Sequence, residues 1–295
     1  MIGTMLTIKM PMTIDSKLSD IIYLITLFKR IENSNANKIQ LNYEHTTFFA
    51  SELYCLYHYL IENLKEQGIK IVGINVKSDV DYVMHLSDNY DLNDPKYSSA
   101  IKHKNFYKEL NDGNINCFDE YLQNQFLPKM IKSINVSNII TAYLSELFVN
   151  ARTHGRTHKI RCNGQKYNGG KLLKFVIVDF GVTIPYNVSN HIINGKLNYF
   201  HDNDGEAIRW ASKEGNTTKE KLGGLGLNDI RQFLKGYNGK IKIISRNGYY
   251  EMNPRNEKIL SLKETFNGTL ILVELDLEKI SKIPIPQRTR EKFEI

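Results

Sequence analysis

Apolar positions change period several times along the chain, and each change predicts an element. Residues 5–11 predict a short strand. From Leu18 the spacing lengthens. Leu18, Ile21, Ile22, Ile25 and Phe28 fall on one helix face, with Asp15 as the expected cap. "IQLNYE" at 39–44 alternates apolar and polar, as a half-buried strand does. Leu53, Leu56, Leu60 and Leu64 then form a helical stripe that Gly68 should end. "IKIVGINV" at 69–76 reads as the next strand, with a short helix expected from about Asp79.

The polar stretch 92–116, with Pro95 and Asp112-Gly113, breaks the pattern and marks a boundary. It divides the chain into an α/β region over 1–95, a linker over 96–116, a second unit over 117–277 and a tail over 278–295. The second unit predicts two helices from Cys117, a hairpin around Asn168-Gly169-Gly170 and a buried strand "LLKFVIVDFG". After a long loop come the glycine stretch "KLGGLGLNDIRQF" at 221–233, a helix, and the strands "KIKIISRNG" and "GTLILVELDL". The tail, with Pro284, Pro286 and several charges, is expected on the surface. No internal repeat is evident.

Composition narrows this picture only a little. With 41% hydrophobic residues in 295, a substantial core can form. The net charge of +7, from 39 basic and 32 acidic residues, is compatible with nucleic acid or an acidic partner but reads first as an ordinary mixed surface. Cys55, Cys117 and Cys162 lack metal-ligand spacing, and their odd number argues against a disulfide framework, so a reducing compartment suits them. The N-terminus lacks the apolar core of a signal peptide, and no apolar run matches a bilayer. The expectation is a cytoplasmic protein with no membrane partner.

Four stretches carry chemistry. In "TAYLSELFVNARTHG", Ile140, Tyr143, Leu144, Leu147 and Ala151 make an apolar helix face, and Glu146, Asn150 and His154 form a polar stripe beside it. A carboxylate there can hold and deprotonate a nucleophile, and an amide oxygen one turn away can ligate Mg²⁺. The same stripe can equally be a solvated helix face. In "VIVDFGVTIP" a buried strand ends on Asp179, whose carboxylate needs a donor such as the exocyclic amine of adenine, with Gly181 leaving room for a flat base. A strand-end turn capped by aspartate is the plain alternative. Gly223, Gly224 and Gly226 expose backbone N–H groups before a helix N-terminus, where phosphate binds well, although a glycine turn before a helix is common. Leu225 and Leu227 would anchor that turn. Thr269, at the expected start of the closing strand, can reach the base or a bridging water; it can equally be an ordinary strand residue.

In combination, E-x-x-x-N-A-x-x-H-G, then D-x-G, then G-x-G-L, then G-T resembles the GHKL superfamily of ATPases, over roughly 117–277. That superfamily includes type II topoisomerases, the heat-shock chaperone ATPase, histidine kinases and MutL. The resemblance implies a Bergerat fold, a mixed sheet with helices on one face, binding ATP and Mg²⁺ under a lid at about 186–222. It implies Glu146 as general base and Asn150 as Mg²⁺ ligand. It places Asp179, Gly181 and Thr269 at adenine and Gly223, Gly224, Gly226 and Leu227 at the phosphates. His154 and Thr183 lie in the ATP-binding motifs, and Lys219 in the lid is expected to reach the terminal phosphate. The usual D-x-G-x-G has Thr183 for its second glycine, and its β-branch restricts the turn.

The "NARTHG" ending resembles the anti-sigma-factor serine kinases. Residues 38–92 resemble the STAS fold of their antagonists, although "EHTTFFASEL" lacks the phosphoacceptor motif. Helix capping is the expected role for Thr46, Thr47 or Ser51. His45, His58, His85 and His103 do not sit in the dimerisation-helix pattern of a histidine kinase. The resemblance therefore implies an Mg²⁺-dependent regulatory switch that hydrolyses ATP or phosphorylates a protein partner, one encoded beside it for example. The alternative is an ATPase whose lid closure drives homodimerisation in a nucleic-acid-linked, bacterial defence or toxin–antitoxin assembly. The missing transducer domain counts against that alternative, and Glu146 counts against binding without turnover.

Overall fold

The computed structural model describes residues 5–77, 80, 108–110, 114–193, 203–216 and 226–282. In chain order its elements are β1 (Met5–Lys9), β2 (Thr13–Ile14), α1 (Leu18–Glu32), β3 (Lys38–Asn42), β4 (Phe48–Phe49), α2 (Tyr54–Glu66), β5 (Lys70–Ile74) and β6 (Lys108–Leu110). There follow α3 (Ile115–Glu120), a π-helical turn (Tyr121–Phe126), α4 (Leu127–Met130), α5 (Ile134–Gly155), β7 (Ile160–Tyr167), β8 (Leu172–Asp179) and α6 (Ile184–Ile193). The last elements are α7 (Asp204–Ala211), α8 (Leu227–Gly236), β9 (Lys240–Met252), β10 (Glu257–Asp276) and α9 (Leu277–Ile280). The helix expected from Asp79 lies outside the described residues. No helix among the described residues is long and apolar enough to cross a membrane.

The fold is α/β, with one parallel and one antiparallel main sheet. Strands β1, β3 and β5 pair in parallel in that spatial order, and the short β2 and β4 pair in parallel beside them. Helices α1 and α2 make the crossovers that parallel strands require. The second sheet runs β6-β7-β8-β10-β9, and all its pairings are antiparallel where a mixed sheet is expected. Turn chemistry explains two of the four pairings. Gly169 and Gly170 sit at φ +64 and +92 and return β7 directly into β8. Asn253 closes the β9–β10 turn by accepting the N–H groups of Arg255 and Asn256. Strands joined so tightly must run antiparallel.

Four local expectations are corrected. Strand β6 lies inside the stretch expected as a linker, because Leu110 is buried in the core beside β7. Asp15 does not cap α1. The cap residue is Lys17, without a side-chain bond, and the Asp15 carboxylate instead meets Ser16 and Lys174. The Thr46 and Thr47 hydroxyls cap no helix but donate to the Pro11 and Met12 carbonyls. The first turn of the tail is held down, because Ile280 on α9 is fully buried.

The antiparallel sheet is covered on both faces, not one. Along β8, Leu173, Phe175 and Ile177 join the core formed with α3–α5, while Val176 and Val178 join the core formed with α1 and α2. Along β10, Ile271 and Val273 take the first face, and Leu270 and Leu272 the second. This is the two-residue alternation of a strand, with each face given its own partner. The N-terminal unit therefore shares a core with the strands of the second unit.

Candidate functional site

Parity places the site. Asp179 continues the Phe175–Ile177 face of β8 and ends the strand 3% exposed. Thr269 lies directly opposite it on β10. Thr269 thus sits inside a strand that begins at Glu257, not at its start. The alternation over 257–267 is too irregular to read locally, because the pairing of β10 with β9 shifts between Ser261 and Thr269.

Three glycines shape the surroundings of Asp179. A Cβ on Gly155 would stand 2.8 Å from the Asp179 carboxylate, and one on Gly181 would stand 1.9 Å from the Gly155 carbonyl. Gly268, at φ +152, brings its Cα so close to the Asp179 carbonyl that a Cβ would stand 2.1 Å from it. Gly181 is therefore required by the end of α5, whose Gly155 carbonyl accepts the Val182 N–H at 2.7 Å. Room for a flat base is not the steric constraint at that position. The Gly181 N–H donates to Asp179 Oδ1 at 3.0 Å. Burial pushes the Asp179 carboxyl up to about 7, against the opposing pull of the Gly181 and Thr269 backbone N–H groups.

Glu146, Asn150 and His154 follow one another down α5 and line a cavity of about 300 Å³ together with Asp179, Thr269, Gly226 and Leu227. That volume lies at the lower end of the range for small-molecule sites. The rest of the lining includes Trp210, Lys213 and Glu214, at and just beyond the end of α7, and Asn187 on α6. The described parts of the expected lid are thus folded wall. Val188, Ala207 and Trp210 bury together, and Asp204 anchors α7 through a bidentate pair with Arg246.

The expected phosphate loop is described only in part. Lys219, Gly223 and Gly224 lie outside the described residues. Gly226 is the N-cap of α8, and its own N–H is taken by the Asp229 carboxylate at 3.1 Å. A Cβ on Gly226 would meet nothing closer than 3.9 Å, so packing does not require glycine there. Gly181 and Thr183 do not line the cavity but stand behind it. Thr183 accepts the Tyr186 N–H at the start of α6, and its φ is not positive, so the missing second glycine leaves no strained turn.

Residues without a local signal complete the site. Ser245, fully buried on β9, accepts the Ile184 N–H at 3.0 Å, lies 3.0 Å from the Thr269 hydroxyl and donates to the Gly268 carbonyl. The Asn187 amide donates to the His154 carbonyl at 2.9 Å and ties α6 to the end of α5. Ser245 reads as any strand serine and Asn187 as any helix residue; only the register between β9 and β10 brings Ser245 behind Thr269.

The donors present fit a nucleotide with a hard cation. Asp179 offers a buried acceptor in the cavity lining. Glu146 and Asn150 offer oxygens to the same cavity. Among the described residues no three or more His, Cys, Asp or Glu side chains group as a metal cage. A cation held by one or two protein oxygens plus ligand phosphates is how Mg²⁺ is usually bound. No protein-family model matches the chain, and no curated protein matches it.

Proposed function

We propose that the cavity holds Mg²⁺-ATP and that the protein is a regulatory switch, hydrolysing ATP or passing its terminal phosphoryl group to a protein partner. One observation carries the reading. Glu146, Asn150, Asp179 and Thr269 come from three separated elements and converge on one cavity, in whose lining the Asp179 carboxylate is buried. In this reading Asp179 accepts from the adenine amine, and the Thr269 hydroxyl, steadied by Ser245, backs the base. Asn150 supplies an oxygen to Mg²⁺, which offsets phosphate charge. Glu146 orients and deprotonates the attacking water or hydroxyl. The same reading takes 117–277 as a GHKL unit of Bergerat type, with α5, α6 and α8 on the nucleotide face. It takes the parallel β1-β3-β5 unit as STAS-like.

Calorimetry with ATP and MgCl₂, beside turnover of γ-labelled ATP, tests this. Glu146→Gln should keep the affinity within about threefold and lower turnover at least ~100-fold. Asp179→Asn should weaken binding ~10–100-fold. Label on an added protein supports a kinase, and free phosphate alone supports an ATPase. No binding heat in the wild type, or equal loss of affinity in both variants, sinks the assignment.

A further inference from the structure

Phe180 follows Asp179 directly, and strand alternation turns it to the opposite face, among the residues packed with the N-terminal unit. There the Tyr59 ring of α2 stacks on it at an interplanar angle of 11°, and Phe266 of β10 meets it edge-on at 6.0 Å. The Arg161 guanidinium of β7 lies 5.3 Å from the Tyr59 ring centre and 5.8 Å from that of Phe180. Its side chain is only 6% exposed, and Glu62 of α2 holds it through an ion pair at 2.5 Å. One turn of α2, Tyr59 to Glu62, therefore grips the residue between Asp179 and Gly181, and the Gly181 N–H is one of two backbone donors to the Asp179 carboxylate, beside that of Thr269.

We infer that Phe180, clamped by Tyr59 and the Arg161–Glu62 pair, is a positioning residue for Asp179, which makes α2 of the N-terminal unit the input that sets adenine affinity. The functional half of this rests on the nucleotide reading above; the positioning half does not. Physical grounds favour a discrete coupling. Phe180 meets two rings, Tyr59 face-on and Phe266 edge-on, and the backbone around Asp179 is packed too closely for a Cβ on Gly155, Gly181 or Gly268. A shift of α2 must displace Phe180 and the Gly181 N–H with it. By reciprocity, a ligand held by Asp179 stabilises α2 in place.

Tyr59→Ala, with Tyr59→Phe as the conservative control, tests it on the full chain through two readouts. The first is hydrogen exchange at the Gly181 amide in the nucleotide-free protein. Exchange should speed about tenfold in Tyr59→Ala and stay at the wild-type rate in Tyr59→Phe, because the stack is worth a factor of that order. The Phe233 amide on α8 should not change. The second readout is affinity for Mg²⁺-ATP against Mg²⁺-GTP. Tyr59→Ala should lose about tenfold for ATP only, since the base contact is loosened and the phosphate contacts are not. Unchanged exchange at Gly181, or equal acceleration at Phe233, overturns the positioning role. Equal loss for both nucleotides overturns the base-specific role. A wild type that binds neither nucleotide overturns the functional half, while the exchange data still decide the positioning half.

Discussion

The two faces of the antiparallel sheet meet the same problem, buried charge, and solve it differently. On the face toward α1 and α2, Lys174 and Lys242 meet opposite charge. Lys174 reaches Asp15 at 3.3 Å and the fully buried Glu52 at 3.5 Å, and Lys242 reaches Glu274 at 3.2 Å. Tyr167 adds a hydrogen bond to Glu52. On the face toward α5, Asp179 meets backbone N–H groups, and no cation among the described residues pairs with it. A charge neutralised by its neighbours holds units together. A buried carboxylate that lines a cavity keeps acceptor capacity that backbone N–H groups do not use up, which is the feature the proposed nucleotide site draws on.

The largest expected effect lies in the glycine contacts of the cavity face. Gly181→Ala drives a Cβ into the Gly155 carbonyl, and chemical denaturation should show a loss of more than about 3 kcal/mol. A loss below ~1 kcal/mol would mean that the end of α5 can yield, and Asp179 would not be rigidly held. Next comes the opposite face. Lys174→Met leaves Glu52 buried without its cation and should cost about 3 kcal/mol, while nucleotide affinity stays within about twofold. An affinity loss matching that of Asp179→Asn would erase the distinction between the faces.

The pH response has a definite sign. Asp179 is raised from 3.8 to about 7 by burial, so the folded state holds this proton more tightly than the unfolded chain. Its contribution to stability is fully present below about pH 4 and is lost as pH rises through about 7. Denaturation midpoints between pH 4 and 8 should fall accordingly in the nucleotide-free protein and flatten in Asp179→Asn. ATP affinity should move oppositely, rising toward pH 8, because the adenine amine donates to the ionised carboxylate. The smallest effect belongs to Thr183→Gly. It removes a buried side chain with a cap bond at 3.4 Å and should cost about 1 kcal/mol. A larger ATP affinity in that variant would show that the second glycine of the motif matters after all.

Much of the fold was legible where a single face is buried. The stripe Leu18 to Phe28 and the run at 39–44 each carry a period that only one element satisfies, and the strand at 172–179, buried on both faces, shows instead as a short apolar run. Gly68 ends its helix at φ +82, as its position after Leu64 suggests. The misses share one cause. Asp15, Thr46, Leu110 and Ile280 all act through partners distant in the chain, such as Lys174 for Asp15 and Pro11 for Thr46. The stretch 257–267 hides its strand because register shifts break the alternation. In the site, the polar stripe on α5 and the strand-end Asp179 were readable. The steric reason for Gly181, Ser245 behind Thr269 and Phe180 under Tyr59 were not.

The sequence by itself determined which residues could share a face. Helical and strand periods follow from backbone geometry alone, so Glu146, Asn150 and His154 had to align on one side of a helix, and Asp179 and Phe180 had to part at the end of a strand. The tertiary structure alone decided which faces meet. Pairing register set Thr269 opposite Asp179, and the seating of α2 against the sheet put Tyr59 on Phe180. Register and docking depend on contacts between residues tens to more than a hundred positions apart, and no local pattern encodes them.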